Sequence, residues 1–285
     1  MRAVVAELVA YPVKGCAGVP MTEARLTEAG LAHDRAFMVV TGDGTFRSQR
    51  RDPRLALVRP AVGQDGRRLT LRAPGLERLD VEIDTASARC DVELFGMPYQ
   101  GIDQGPDAAE WLSEILGAPS RLVRVPPEHD RVTDGATPGT SGYADSSPVH
   151  VISRASLDGL NRRLEEAGSP PLPMDRFRPN IVIAGWAEPH LEDGIRRARI
   201  GTAELGFAKL AIRCAVTTVD QRRGAKAGPE PLRTLATYRR AGTGGESGGV
   251  GESGAGGVAF GAKFSVLSPG KFAVGDEMDV RAWAR

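Results

Sequence analysis

Residues 36–44 read AFMVVTGDG, an apolar run that ends in a turn rich in glycine and aspartate. The run favours a short strand, and TGDG has the composition of a tight hairpin turn. Residues 63–66, GQDG, show the same turn chemistry further along the chain. Strands joined by such turns pair antiparallel, so the sequence predicts an antiparallel β architecture without βαβ repetition.

Similar runs recur throughout the chain. Strands are predicted over residues 3–10, 36–41, 69–72, 79–83, 91–95, 149–152, 180–184, 198–200, 204–208, 212–219, 264–267 and 277–281. Helices are predicted at 107–117, where Asp107 and Glu110 fit a capping box, from residue 153 to Gly168, and at 232–239. We therefore expect a mainly β protein with a few helices.

Two segments mark the domain organisation. Pro126-Pro127 and then ATPGTSG at 136–142 predict a boundary between a first domain, residues 1–127, and a second, residues 128–285. Residues 241–257 contain nine glycines in seventeen positions, which predicts a mobile surface loop inside the second domain.

Composition excludes several classes of protein. Thirty-seven basic and 36 acidic residues give no general basic excess, which disfavours nucleic acid as the partner. The N-terminal apolar run is interrupted by Glu7 and stopped by Pro12, and no later stretch approaches ~20 apolar residues, so we expect a soluble, cytoplasmic protein without membrane contact. Three separated cysteines and four scattered histidines suit neither a disulfide framework nor a zinc site.

Three polar clusters accompany the apolar strands: YPVKG (11–15) with HDR (33–35), YADSSP (143–148) with RFRPN (176–180), and AIRCAVTTVD (211–220). Arginine forks and serine hydroxyls together suit a phosphate. Taken singly, Lys14 and Arg35 are more often solvated, Ser146 and Ser147 could form a turn before a strand, and Cys214 could be a small buried hydrophobe. The residues alone indicate a β-rich protein with a candidate anion site.

Nine motifs follow one another over nearly the whole chain. In order they are YPVKGCAGVP, DRAFMVV, SQRRDPRLALV, DAAEWLSEILG, YADSSPVHVISRASLDGLNRRL, FRPNIVIAG, RCAVTTVD, PLRTLATYR and FGAKFSVLSPGKFAVGD. Together they resemble the MOSC family, in particular its amidoxime-reducing-component branch. The resemblance implies an N-terminal β-barrel-like domain packed on a MOSC β-barrel domain.

The same resemblance implies a molybdenum–molybdopterin cofactor, independent of pyridoxal phosphate, whose metal is bound by Cys214. Asp220 is a candidate proton-delivery residue, although a carboxylate in a strand-end turn is the stronger reading. The residues implied to hold the pterin and its phosphate are Lys14, Gly15, Arg35, Asp145, Ser146, Ser147, Arg178, Asn180, Arg213 and Lys263.

The implied reaction is the two-electron reduction of N-hydroxylated compounds, with electrons from a separate ferredoxin- or flavin-type protein. Three alternatives remain open: a persulfide carrier or transferase that uses Cys214, a non-catalytic protein that binds the cofactor, and a β-barrel module for RNA or a protein partner. The last predicts exposed aromatic residues, yet aromatics make up only 5% of the chain.

The chain departs from the family pattern around the implied site. Gly15 replaces a usual serine, Gln221 replaces a common proline, and Lys263 stands where an aromatic residue is frequent. Leu-Ala-Ile precedes Arg213 in place of a small polar stretch, and no cysteine-rich ferredoxin segment follows. We therefore expect this chain to differ from the family pattern mainly in how a substrate reaches the site.

Overall fold

The computed structural model describes residues 2–241 and 257–284, so the predicted mobile loop lies outside the described residues except for its two ends. The elements up to residue 127 are β1 (Val4–Ala10), β2 (Val13–Lys14), β3 (Val19–Met21), β4 (Glu23–Thr27), β5 (Gly30–Leu31), β6 (Phe37–Thr41), β7 (Arg59–Val62), β8 (Arg68–Arg72), β9 (Leu79–Glu82), β10 (Arg89–Leu94), β11 (Met97–Asp103), α1 (Pro106–Leu116) and β12 (Ser120–Arg124).

The elements that follow are β13 (Val132–Thr133), β14 (Gly139–Thr140), β15 (Val149–Ser153), α2 (Arg154–Glu166), β16 (Ile181–Ala184), β17 (Ile195–Ile200), β18 (Ala203–Arg213), β19 (Val219–Asp220), β20 (Ala225–Lys226), α3 (Leu232–Tyr238), β21 (Val258–Ser268), β22 (Gly270–Ala273) and β23 (Met278–Trp283). Short 3-10 helices span Pro53–Leu57, Met174–Arg176, Leu191–Gly194 and Ala215–Thr218. The prediction of a mainly β protein with a few helices is confirmed.

An eight-stranded sheet in the order β23-β17-β18-β21-β15-β16-β1-β3 forms the largest layer. Its neighbours are antiparallel except for β15 and β16. An isolated bridge between Val4 and Glu277 brings β1 close to β23, so the sheet curls into a barrel-like shape. The interior is filled by side chains such as Leu8, Val151 and Phe264, which are at most 1% exposed.

Strands β4 and β5 form a sheet with β22 of the second half, and the other strands of the first half outside the large sheet form a five-stranded sheet (β10-β11-β12-β6-β2) and a three-stranded sheet (β7-β8-β9). Helix α1 buries Trp111 and Leu112 against them. The predicted capping box is wrong, because Gly105 at φ 95° precedes the helix, Pro106 opens it, and no side chain caps it. Gly117 ends the helix in the left-handed conformation, as the sequence predicts.

The two halves share a core. Strands β1 and β3 pair within the eight-stranded sheet, and Leu8, Leu26 and Leu31 pack in one cluster with Val149 and Phe264. Burying these side chains together stabilises both halves at once, since each apolar surface is removed from water by the other. The domain boundary at residue 127 remains a prediction.

The region around Cys214 differs from the prediction. Two strands were expected over 204–208 and 212–219, but β18 is continuous and ends at Arg213, and Ala215–Thr218 is a 3-10 helix. The hydroxyls of Thr217 and Thr218 donate to the carbonyls of Cys214 and Ala215 at 2.9 and 2.8 Å. These local bonds replace the strand ladder, so Cys214 is exposed rather than buried in a strand.

Gly185, directly after β16, fixes the approach of the N-terminal strand. Its φ is 96°, and a Cβ there would lie 2.1 Å from the Arg2 carbonyl oxygen. Gly96, in the β10–β11 turn, has a similar φ of 77° with no atom within 4 Å of its Cβ position. Gly96→Ala should therefore lose only about 1 kcal/mol of unfolding free energy from backbone strain.

Gly185→Ala should lose about 2–4 kcal/mol, because the steric clash adds to the same strain. Urea unfolding of the two variants measures the difference. Equal losses would show that the close approach at Arg2 contributes nothing to stability.

Candidate functional site

One pocket between the two halves brings together most of the predicted site residues. Ten of the twelve line it: Lys14, Gly15, Arg35, Asp145, Ser147, Arg178, Asn180, Arg213, Cys214 and Lys263. The other two, Ser146 and Asp220, are not among its lining residues. Residues separated by up to 249 positions in sequence therefore face one space.

Strand ends deliver these side chains to the pocket. Lys14 ends β2 and Arg213 ends β18, whereas Lys263 lies within β21. Ser147 precedes β15 and Asn180 precedes β16. Because β15 and β16 are parallel, their N-terminal ends lie at the same edge of the sheet, which places Ser147 and Asn180 together.

Lys14 is a buried cation that connects the halves. Only 4% of the residue is exposed, its Nζ forms an ion pair with Asp145, and it lies 5.0 Å from the ring centroids of both Phe46 and Phe95. Burial opposes ionisation of Asp145, but Lys14 and Lys263 outweigh it and hold the pKa of this carboxyl well below its usual range. Asp145 is therefore ionised, and the exposure of 59% of its side chain favours the same charged form.

Arg35 and Arg178 form a second cationic group around Tyr11. Their guanidinium carbons lie 4.4 and 4.3 Å from the Tyr11 ring centroid. Arg35 donates to Asp34 at 2.5 Å and to the Asn180 side-chain oxygen at 3.0 Å. Both arginines have positive φ, 47° and 56°, a strained backbone that non-glycine residues usually adopt only where the surroundings enforce it.

Lys263 lines the same pocket and donates a 2.7 Å hydrogen bond to the Ser146 hydroxyl. Burial, which outweighs the attraction of Asp145, and repulsion by Arg213 lower the pKa of Lys263 to about 8. Ser146 therefore holds Lys263 in place instead of lining the pocket itself. The ammonium is protonated at neutral pH and loses its charge within reach of mildly alkaline conditions.

Three residues lining the pocket carry buried polar atoms without a hydrogen-bond partner among the described residues: Ser147 Oγ, Arg213 Nε and His150 Nε2. Unsatisfied buried groups of this kind are uncommon and indicate a missing ligand or water. Ser147 and Arg213 are donors surrounded by cations, an arrangement that suits an oxyanion. The donor set therefore fits the phosphate of the implied cofactor.

His150 was missed by sequence reasoning. It lies in the buried strand β15, where its neighbours Val149 and Val151 make it resemble an ordinary core residue. Burial, Arg213 and Lys263 lower the pKa of His150 well below its usual value, so the imidazole is neutral. It can donate or accept one hydrogen bond in the pocket without adding charge.

Cys214 is the exposed thiol of the chain. It lines the pocket next to Arg213 because β18 ends between them, so the alternation of a strand does not separate their side chains. Cys16 is buried, which raises the pKa of its thiol to about 12, and Cys90 is half-buried in β10. Within the described residues no cluster of three or more metal-ligating side chains occurs, and Cys214 is the one cysteine among the residues that line the pocket.

Asp220 serves the turn after the 3-10 helix. Its Oδ1 accepts backbone hydrogen bonds from Arg222 and Arg223 at 2.9 and 3.0 Å, and its Oδ2 lies 3.7 Å from Arg176. These contacts match a turn carboxylate, the stronger of the two sequence readings.

Gln49 and Gln221 form a bridge between the halves that the sequence did not reveal. Their amides exchange hydrogen bonds of 3.1 and 3.0 Å, and Gln49 also donates to the Gly15 carbonyl at 2.5 Å. Arg178 donates to Gln221 at 3.3 Å. Gln49 lies in the quoted SQRRDPRLALV stretch, but nothing local in that stretch indicates a partner 172 positions away.

The chain is similar to proteins of known family over most of its length. The MOSC N-terminal beta barrel domain profile matches residues 2–119, and the MOSC domain profile matches residues 138–279. Rat mitochondrial amidoxime reducing component 2 is 36% identical over 244 residues, covering 80% of this chain and 70% of its own length. Human mitochondrial amidoxime-reducing component 1 is 35% identical over 285 residues, covering 95% and 81%. In the described ranges, no helix has the length and apolar character needed to span a bilayer.

The cationic pocket should bind sulfate when no cofactor is present, and bound sulfate should raise the melting temperature. Arg213→Gln should weaken sulfate binding about tenfold, since it removes a charge-assisted donor. Arg162→Gln, which removes an exposed charge on α2, should leave binding unchanged. Thermal unfolding against sulfate concentration measures both effects.

Sulfate keeps its charge between pH 7 and pH 9. A change of its binding with pH therefore reports the protonation of the lysines in the pocket. Lys263, with a pKa of about 8, is protonated below that pH and neutral above it. Burial lowers the pKa of Lys14 as well, in the same direction. Stabilisation by sulfate should therefore fall as pH rises through about 8. Stabilisation that stays constant from pH 7 to pH 9 would contradict this assignment.

Proposed function

The chain belongs to the MOSC family, and we propose that it is a molybdenum cofactor-dependent reductase of N-hydroxylated compounds. The observation that carries the proposal is one exposed thiol, Cys214, at a pocket lined by six lysine and arginine side chains and by buried donors without partners among the described residues. The amidoxime-reducing components, at about 35% identity, support the same type of substrate.

In this proposal different lining residues would hold the phosphate and the metal of the cofactor. Arg35, Arg178 and Ser147 would hold the phosphate, because guanidinium forks and a hydroxyl match its oxygens. Lys14 and Lys263 would add charge beside them. Cys214 would bind the metal as a thiolate, the form in which cysteine is a ligand. The bound molybdenum would supply the two-electron redox chemistry.

The overall reaction converts an N–OH group into N–H and releases water, which consumes two electrons and two protons. Cys214 is exposed, so a substrate can approach this part of the pocket from solvent. Phe46 and Phe95 provide an apolar wall suited to the organic part of a substrate. His150, neutral and unpartnered at Nε2, would orient a polar group in the pocket.

Electrons would come from a separate ferredoxin- or flavin-type protein. Each turnover needs two electrons, and within the described residues no side-chain cluster suits an iron–sulfur centre. A docking carrier is therefore part of the proposal.

Sulfur transfer by Cys214 is the second candidate, favoured by the exposure of the thiol. A persulfide carrier needs no clamp for a phosphate, however, and the convergence of Arg35, Arg178 and Ser147 is unexplained by it.

Cys214→Ala should abolish molybdenum-dependent reduction of a hydroxylamine while leaving the melting temperature within about 2 °C, because an exposed side chain is truncated. Cys90→Ala, at the half-buried thiol on β10, is the matched control and should keep full turnover. Turnover with a chemical reductant measures both variants. Wild-type turnover by Cys214→Ala would remove the metal ligand from the proposal.

Arg178→Ala should lower pterin content about tenfold, since it removes the guanidinium group that would hold the phosphate. Arg178→Lys, which keeps the charge but not the fork, should give an intermediate value. Released pterin fluorescence per chain is the readout. Normal pterin content in Arg178→Ala would contradict the phosphate clamp.

A further inference from the structure

Two loops beside the pocket concentrate the positive charge of the protein. Residues 47–59 contain five arginines and one aspartate, and residues 220–226 contain two arginines, one lysine and one aspartate. These loops therefore carry excesses of four and of two positive charges. The whole chain has 37 basic and 36 acidic residues, so the remaining sequence is net negative and the charge is strongly segregated.

The two loops form one surface next to the pocket mouth. They are joined by the paired amides of Gln49 and Gln221, and Gly224 packs against Leu57. Arg50 lines the pocket together with Cys214, and residues 220–226 follow the 3-10 helix that begins after Cys214. Five exposed cations of these loops together form what we call the basic face: Arg50, Arg51, Arg222, Arg223 and Lys226.

The cations of the basic face are available for a partner. Among residues 2–241 and 257–284, no carboxylate lies within ion-pair distance of any of the five. The acidic side chains of the two loops are already paired, Asp52 with Arg47 and Asp220 with Arg176. Asp175 is exposed and lies near Arg222, but within the described residues it forms no ion pair with any member of the face.

On the basis of the proposed reductase function, we propose that the basic face docks an acidic electron-transfer protein. Opposite charges steer such a carrier and orient it, and the face adjoins the residue that would bind the metal. The exposed large apolar side chains of the described residues, such as Ile212 and Trp283, lie outside both loops. A polar surface of this kind suits a brief encounter, and it lacks the stacking platform that single-stranded nucleic acid uses.

Arg222→Gln/Arg223→Gln tests the face without altering a residue that lines the cofactor pocket. The control is Arg25→Gln/Arg162→Gln, which removes two exposed arginines on β4 and α2 without an ion-pair partner among the described residues. Both holoenzymes are compared with the unmodified protein. The probe is a plant-type [2Fe–2S] ferredoxin, an acidic one-electron carrier, kept reduced so that two molecules are oxidised per N–O bond.

At about 0.02 M ionic strength the face variant should lose about tenfold in kcat/KM for ferredoxin, and the control should lose less than about twofold. At about 0.5 M salt the difference should disappear, because screening removes the attraction. Reduced methyl viologen, a small donor that needs no docking, should drive both variants at equal rates. Calorimetric binding of oxidised ferredoxin should weaken in the face variant alone.

Equal ferredoxin kinetics in all three proteins, or an equal loss in the control, would overturn the basic face as the docking site. Binding of a short DNA duplex without any binding of ferredoxin would assign the face to nucleic acid, and would also overturn the docking proposal. Failure of the unmodified protein with methyl viologen would instead count against the reductase function. Ferredoxin binding without turnover still tests the face in that case.

Discussion

The pocket holds several positive charges close together with few negative charges beside them. The rest of the structure has to stabilise these charges against their mutual repulsion. Lys14 and Arg178 are each at most 9% exposed, and Asp145 is the one carboxylate among the described lining residues. Aromatic faces lie beside Lys14, Arg35 and Arg178 and partly offset the loss of water. An oxyanion in the pocket would relieve the remaining repulsion, so binding and stability are coupled.

The shared core explains how this confinement is possible. Lys14 and Arg35 come from the first half, and Arg178, Arg213 and Lys263 come from the second. Because β1 and β3 belong to the eight-stranded sheet, the two halves cannot separate without exposing the cluster around Leu8 and Phe264. The apolar core thereby supplies the free energy that holds like charges near one another.

Much of the fold and of the site could be predicted from the type and the position of the residues in the sequence. Alternation and turn residues indicated strands such as β6 and β15, and cations or hydroxyls next to those strands indicated an anion site. The exposure of Cys214 was not predictable, since it depends on threonine hydroxyls competing with strand pairing. His150 resembles a core residue until its unpartnered Nε2 is seen. The Gln49–Gln221 bridge joins residues that only the folded chain brings together.

The most direct test of the cofactor site is the metal and pterin content of the protein purified from a host that makes the molybdenum cofactor. We predict close to one molybdenum and one phosphate-bearing pterin per chain, both released together on unfolding. A folded protein that holds neither, and that takes up neither when cofactor is supplied, would contradict this prediction and leave Cys214 as a sulfur-carrying or simple binding thiol.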